Sequence, residues 1–229
     1  MGLLRMNRQR GALTGQIMAF LAGLTLLAGA GGGLAQERPL TIVVLGDSLS
    51  AGYGLPREAA FPEALERKLK ARGHNIRMVN AGVSGDTATG GLERLDWSVP
   101  DGTDGVIVEL GANDMLRGID PGVTRANLDG ILAEIDNRGL PAIVAGIPAP
   151  ANYPEAYREA YSAMFRDLAE KHRTIYYSSF LGGLGEGRSM REITRLMQPD
   201  GLHPNAEGVQ AIVDHIGPVV LELMARQRS

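Results

Sequence analysis

Leu40-Thr41-Ile42-Val43-Val44-Leu45-Gly46-Asp47-Ser48-Leu49-Ser50 is the stretch that decides the fold. Its first six residues are β-branched or leucine and show no polar alternation, so they read as a short strand buried on both faces. Such a strand needs helices above and below it, and the downstream sequence supplies them. Residues 59–72 place Phe61, Leu65 and Leu69 at helical spacing, with Pro62 near the start and Gly73 just past the end. Further short apolar runs at 76–80, 106–110, 142–147 and 174–177 read as strands two to five. Between and after them, 123–137, 154–171 and 206–226 read as helices, and Pro218 inside the last predicts a kink or break. Strands alternating with helices predict a three-layer α/β/α fold, with a flavodoxin-like sheet of about five parallel strands.

Upstream of the first strand, the only charges before Glu37 are Arg5, Arg8 and Arg10. An apolar run from Ile17 to Ala30 follows, then Gly33-Leu34-Ala35. A basic start, a short apolar core and small residues around the exit describe a secretory signal peptide, with cleavage expected after Ala35. A retained anchor is the competing reading, but the strongly apolar part falls short of the ~20 residues that a span requires. Cleavage would leave one domain over 36–229, a 194-residue chain with 20 basic and 26 acidic side chains. That acidic balance argues against nucleic acid as a partner. The absence of cysteine excludes disulfides, thiolate metal sites and a thiol nucleophile. The expectation is a soluble periplasmic or secreted monomer, without stable membrane insertion after cleavage.

In doubly wound folds ligands bind beyond the carboxyl ends of the strands. Gly46-Asp47-Ser48-Leu49-Ser50 follows strand one, and Asn80-Ala81-Gly82-Val83-Ser84-Gly85-Asp86-Thr87 follows strand two. Gly111-Ala112-Asn113-Asp114 follows strand three, and Asp200-Gly201-Leu202-His203-Pro204-Asn205 precedes the last helix. Each loop pairs glycine with small polar or titratable residues.

These four blocks, in this order, resemble the signature blocks of the SGNH (GDSL) hydrolase superfamily. The longer stretches Leu45 to Tyr53, Ser84 to Thr87, Glu109 to Gly111 and Pro150 to Tyr153 are similar to its thioesterase/lysophospholipase and arylesterase subgroup. The resemblance implies a hydrolase of carboxylic esters, and possible thioesters, that acts on a small acyl substrate through an acyl-enzyme. It needs no cofactor and no metal. It implies Ser48 as nucleophile, His203 as base, Asp200 as the base's partner, and an oxyanion hole from Ser48, Gly85 and Asn113. It also implies substrate contacts from the loop holding Ala151, Asn152 and Tyr153.

The residues admit a chemical reading of their own. A serine hydroxyl needs a base within hydrogen-bond reach to become nucleophilic. His203 alone among four histidines has a carboxylate three residues earlier in a Gly/Pro turn. Glycine lets a backbone N–H approach a developing oxyanion closely, and an asparagine amide can add a second donor. Plainer alternatives stand beside each: Asp47 and Ser48 as a helix cap, Asn205 as cap of the last helix, Gly85 as a turn residue, and Asn113 as a loop amide. Asp47, Asp86 and Asp114 read as supports for their loops, and Trp97 as a core residue. Two other functions share parts of this pattern. One is a carbohydrate O-acetyl esterase; the other is a flavodoxin-like protein binding phosphate through Ser48 and Ser50.

Overall fold

The structure is a computed structural model that describes residues 38–227. The leader over 1–35 and its cleavage after Ala35 lie outside the described residues. Five strands, β1 (Leu40–Gly46), β2 (Ile76–Gly82), β3 (Gly105–Glu109), β4 (Ala142–Ala145) and β5 (Ile175–Tyr177), form one sheet in the order β2-β1-β3-β4-β5. Every pairing is parallel. The five strand expectations hold to within a few residues at their ends. Ile42 to Leu45, Val106 to Val108 and Ile143 to Val144 are fully buried, as continuous apolar runs in a two-sided sheet must be.

Ten helices join the described strands: α1 (Ser48–Ala51), α2 (Phe61–Ala71), α3 (Ala88–Glu93), α4 (Leu95–Ser98), α5 (Ala112–Leu116), α6 (Pro121–Asn137), α7 (Glu155–Lys171), α8 (Gly182–Gly185), α9 (Met190–Arg195) and α10 (Ala206–Gln227). α2 and α8 pack against α10, while α6 packs against α3 and α7. The apolar stripes of α6 (Leu128, Ile131, Leu132, Ile135) and α10 (Val209, Ile212, Val213, Ile216, Val220) are buried. Glu66 on α2 accepts a hydrogen bond from the Met78 N–H of edge strand β2 at 2.6 Å, occupying a donor that an open edge would present to another chain.

One expectation fails outright, and another in its stronger form. Pro218 does not break α10, which runs continuously from Ala206 to Gln227. Buried residues on both sides of the proline, from Val209 to Met224, hold the helix against the core and outweigh one missing backbone hydrogen bond. Trp97 is not a core residue: it is 73% exposed on α4, a single turn whose inward side is carried by Leu95 and Ser98.

The strand order places β1 between β2 and β3. Chain direction therefore reverses its progress across the sheet at β1, and the crevice of the fold opens at that point. In register, Gly46 at the end of β1 faces Gly82 of β2 and Glu109 of β3. The loops after all three strands converge there.

Candidate active site

Ser48 begins α1 directly after β1. Asp47 is the N-cap, its carboxylate accepting from the Leu49 N–H at 2.9 Å. The capping alternative is thus real for Asp47, while the Ser48 side chain turns elsewhere. Its Oγ lies 2.9 Å from His203 Nε2, and His203 Nδ1 lies 2.7 Å from Asp200 Oδ2. The three side chains form a continuous chain of hydrogen bonds across 152 residues of sequence between Ser48 and Asp200.

The Asp200 turn is built to hold that geometry. Its second oxygen, Oδ1, accepts from the N–H groups of Leu202 (2.9 Å) and His203 (3.1 Å). The hydrogen bond to His203, helped by these two N–H donors, holds the Asp200 carboxyl down to about 2. Gln198 closes the loop, donating to the carbonyls of Tyr53 (2.7 Å) and Pro204 (3.0 Å). The Tyr53 ring rests against the imidazole with centroids 4.6 Å apart. Asn205 also caps α10, accepting from the Gly208 N–H at 3.0 Å, so the helix cap and the Asp–His turn coexist in one loop.

Asn113, on α5, donates through Nδ2 to the free oxygen of Asp47 at 3.0 Å. One amide hydrogen is thereby fixed, and Ser48, Gly85 and Asn113 line one cavity. Gly85 has a φ of +83°, a backbone that a side chain would strain. Its carbonyl accepts from Arg117 at 2.6 Å. Next to it, Asp86 pairs with the buried Arg94 at 2.6 Å. The Arg94 guanidinium also reaches the carbonyls of Ala81 (2.7 Å) and Gly46 (2.8 Å), tying the ends of β1 and β2 to the Gly85 turn. Asp114 supports α3 by accepting from the Ala88 N–H at 2.9 Å.

Beneath the Ser48 turn lies a residue whose role sequence reasoning missed. Glu109 is fully buried; its Oε2 accepts from Ser50 Oγ at 2.6 Å and from the Asp47 N–H at 3.3 Å. Burial, reinforced by the nearby Asp47 charge, pushes its carboxyl well above the usual range. Asp47, also buried, is pushed up to about 6, its burial offset in part by the Leu49 N–H and the Asn113 amide. Both buried carboxyls are thus shifted toward their protonated forms. A Cβ on Gly46 would meet Ser50 Oγ at 2.3 Å and Glu109 Oε2 at 2.6 Å, so only glycine lets this carboxyl approach the turn. The available signal was an acid at the end of an otherwise apolar buried strand.

The cavity beside Ser48 measures about 420 Å³, within the usual range for small-molecule sites. Its walls are largely apolar, from Met115 and Leu116 of α5, Ile147, Pro148 and Pro150 after β4, Leu181 just before α8 and Met197 just after α9. Ala151, Asn152 and Tyr153 do not line it. Ala151 and Asn152 are exposed, and Tyr153 turns inward to donate to the Met115 carbonyl at 3.1 Å. Tyr153 heads a stack with Tyr157 and Tyr161, and the Tyr161 hydroxyl donates to the Gly111 carbonyl. Two tyrosines of one stack thus brace the Asn113 turn at both ends.

The chain is similar to several known proteins. Esterase TesA of Pseudomonas aeruginosa is 34% identical over 190 residues, covering 82% of this chain and 92% of its own. Thioesterase 1/protease 1/lysophospholipase L1 of Escherichia coli is 36% identical over 178 residues, covering 76% and 80%. The crystal structure of the psychrotrophic esterase EstA from Pseudoalteromonas sp., inhibited by monoethylphosphonate, superposes with a TM-score of 0.73 at 31% identity, covering 81% and 98%. The model of the GDSL-like Lipase/Acylhydrolase family matches residues 44–211, from β1 into α10, and so takes in every loop described above. The chain belongs to the GDSL-like Lipase/Acylhydrolase family.

Proposed function

We propose that this chain is a serine ester hydrolase that works through an acyl-enzyme. The observation that carries the reading is the Asp200–His203–Ser48 chain, 2.7 and 2.9 Å long at its two links, opening on an apolar cavity. Ser48 Oγ attacks the ester carbonyl while His203 Nε2 takes its proton, and Asp200 holds the ring in the tautomer that leaves Nε2 free to accept. The tetrahedral oxyanion is received by the N–H groups of Ser48 and Gly85 and by the second hydrogen of Asn113 Nδ2. Collapse breaks the bond to the leaving alcohol or thiol, which takes the proton from His203. Water then repeats the sequence to free the acid.

The site is ready before substrate arrives. Asp47 orients Asn113, Glu109 fixes Asp47 from below, and Arg94 holds the Gly85 turn. Preorganised donors need no reorientation when charge develops, which is the main source of oxyanion stabilisation. The apolar walls favour an acyl chain over an acetylated sugar, whose hydroxyls would be left unpaired there. The phosphate-binding alternative fares worse. The Ser48 and Ser50 hydroxyls are engaged by His203 and Glu109, and the Asp47 charge lies immediately beneath the loop. The leader over 1–35 directs the enzyme out of the cytoplasm, and outside it the enzyme acts as a monomer on small acyl esters and thioesters.

The test is hydrolysis of p-nitrophenyl esters of increasing acyl length, with an acyl-CoA and a lysophospholipid alongside. Turnover that rises with acyl length and vanishes in both Ser48→Ala and His203→Ala is expected. Retention of turnover in either folded variant would overturn the assignment.

A further inference from the structure

The cavity beside Ser48 is not the end of the apolar surface. A second groove of about 570 Å³ opens between α8 and α9 and shares three wall residues with the first, Leu181, Met197 and Gly201. Its own walls are Leu184 and Gly185 from α8, Met190, Ile193 and Thr194 from α9, and Pro199 from the loop that follows. Met190 is 75% exposed, a large apolar side chain kept at the surface beside the groove. Exposed apolar area contiguous with a binding site is a mark of ligand contact.

Position relative to the triad says which part of a substrate would enter. The acyl carbon is bound to Ser48, and its oxygen points to Gly85 and Asn113. The Asn113 side of the first cavity, with Met115, Leu116 and Pro148, therefore receives the acyl chain. The leaving oxygen must lie within hydrogen-bond reach of His203 Nε2 to take its proton. Whatever is attached to that oxygen leaves past the loop carrying His203. Gly201, two residues before His203, lies on the boundary of the second groove, and Met197 and Leu181 stand beside it. Methionine, unbranched and adaptable, suits a divider that two different chains contact from opposite sides.

We propose that the α8–α9 groove is an alcohol-side subsite, and that the substrate class is an ester with two apolar arms, an acyl chain on the Asn113 side and an alkyl or aryl alcohol in this groove. The inference rests on the ester-hydrolase reading given above. It extends that reading by assigning the leaving group its own binding surface. Binding energy from the alcohol arm, remote from the reacting carbon, then contributes to kcat/KM.

Two ester series separate the arms: ethyl to octyl acetates vary only the alcohol, and ethyl acetate to ethyl octanoate vary only the acid. Burying each added methylene is worth up to about fourfold in affinity, so octyl acetate should exceed ethyl acetate in kcat/KM by about 10²-fold or more. Ile193→Trp or Thr194→Trp, which fill the groove from α9, should collapse that octyl-to-ethyl ratio toward one while leaving the slope of the acyl series in place. Thr194 is exposed, so its variant keeps the test alive if Ile193→Trp fails to fold. A wild-type enzyme active on ethyl esters but indifferent to alcohol length overturns the subsite alone. Flattening of the acyl series instead shows that the groove holds the acyl chain and overturns the assignment. Absence of hydrolysis of every ester in both series overturns the underlying hydrolase reading.

Discussion

The Asn113 amide donates to the Asp47 carboxylate at 3.0 Å, so the side chain proposed to receive the oxyanion is aimed by the residue that caps the nucleophile's helix. The proposed nucleophile and the proposed oxyanion donor are thereby fixed to one buried group. Asn113→Ala removes a transition-state donor and should lower kcat by about 10²-fold or more with little change in KM. Asp47→Asn keeps Asn113 but leaves one amide oxygen for two donors, Leu49 N–H and Asn113 Nδ2. Its kcat should fall between wild type and Asn113→Ala. A KM effect without a kcat effect in Asn113→Ala would show that the residue only binds substrate.

The pH profile should distinguish the two members of the Asp–His pair. Asp200 is held down to about 2 by its hydrogen bond to His203, so it stays ionised throughout the working range. Loss of activity on the acid side within that range is then not a titration of Asp200. Asp200→Asn should reduce kcat by about 10²-fold or more, since the base loses its orienting acceptor. The acid limb should remain. Its disappearance in pH–rate profiles of the variant would assign the titration to Asp200 itself.

The strand and loop plan was legible because the strands are short and largely apolar, and the first four reach a glycine at or within two residues of their ends. The Ser48–His203–Asp200 hydrogen-bond chain was legible because Ser48 and the Asp200/His203 turn carry chemistry that a turn does not need. Glu109 was not, because its neighbours Val106 to Val108 make it look like the end of a core strand. Only the three-dimensional register, Glu109 opposite Gly46, reveals what it touches. Tyr153 carried a signal that pointed the wrong way. A tyrosine after β4 suits a pocket, yet its i, i+4 spacing with Tyr157 and Tyr161 continues a buried stack. Trp97 sits on one helical turn, too short for periodicity to say which side faces inward. The α8–α9 groove was invisible for the same reason, since both helices are brief and α8 is mostly glycine.

Glu109 makes stability depend on pH in a definite sense. Its folded carboxyl titrates above the unfolded one, so the folded state binds the extra proton and stability falls as pH rises through the raised value. Asp47 acts in the same direction between its ordinary 3.8 and about 6. Glu109→Gln retains an oxygen for Ser50 and the Asp47 N–H but cannot ionise. Melting curves from pH 5 to 9 should show wild type losing about 5 °C or more relative to the variant at the alkaline end. Parallel Tm curves would contradict a raised Glu109 carboxyl.

Arg94 should prove structural as well as positional. Its guanidinium pairs with Asp86 while buried, and Arg94→Leu leaves that carboxylate and the Gly46 and Ala81 carbonyls without their donor. The expected cost is about 3 to 5 kcal/mol, measured by urea unfolding. Asp86→Asn in the Arg94→Leu background should recover part of it by removing the stranded charge. No recovery would show that the carbonyl contacts, rather than the ion pair, carry the effect.

The central claim is that Ser48, activated by His203, is the nucleophile. A fluorophosphonate probe phosphonylates a serine that is activated in this way, and peptide mass spectrometry locates the label. One label per chain on Ser48, abolished by His203→Ala, is the result expected. Stoichiometric labelling at another residue, or an unlabelled Ser48 in folded enzyme that hydrolyses esters, would contradict it.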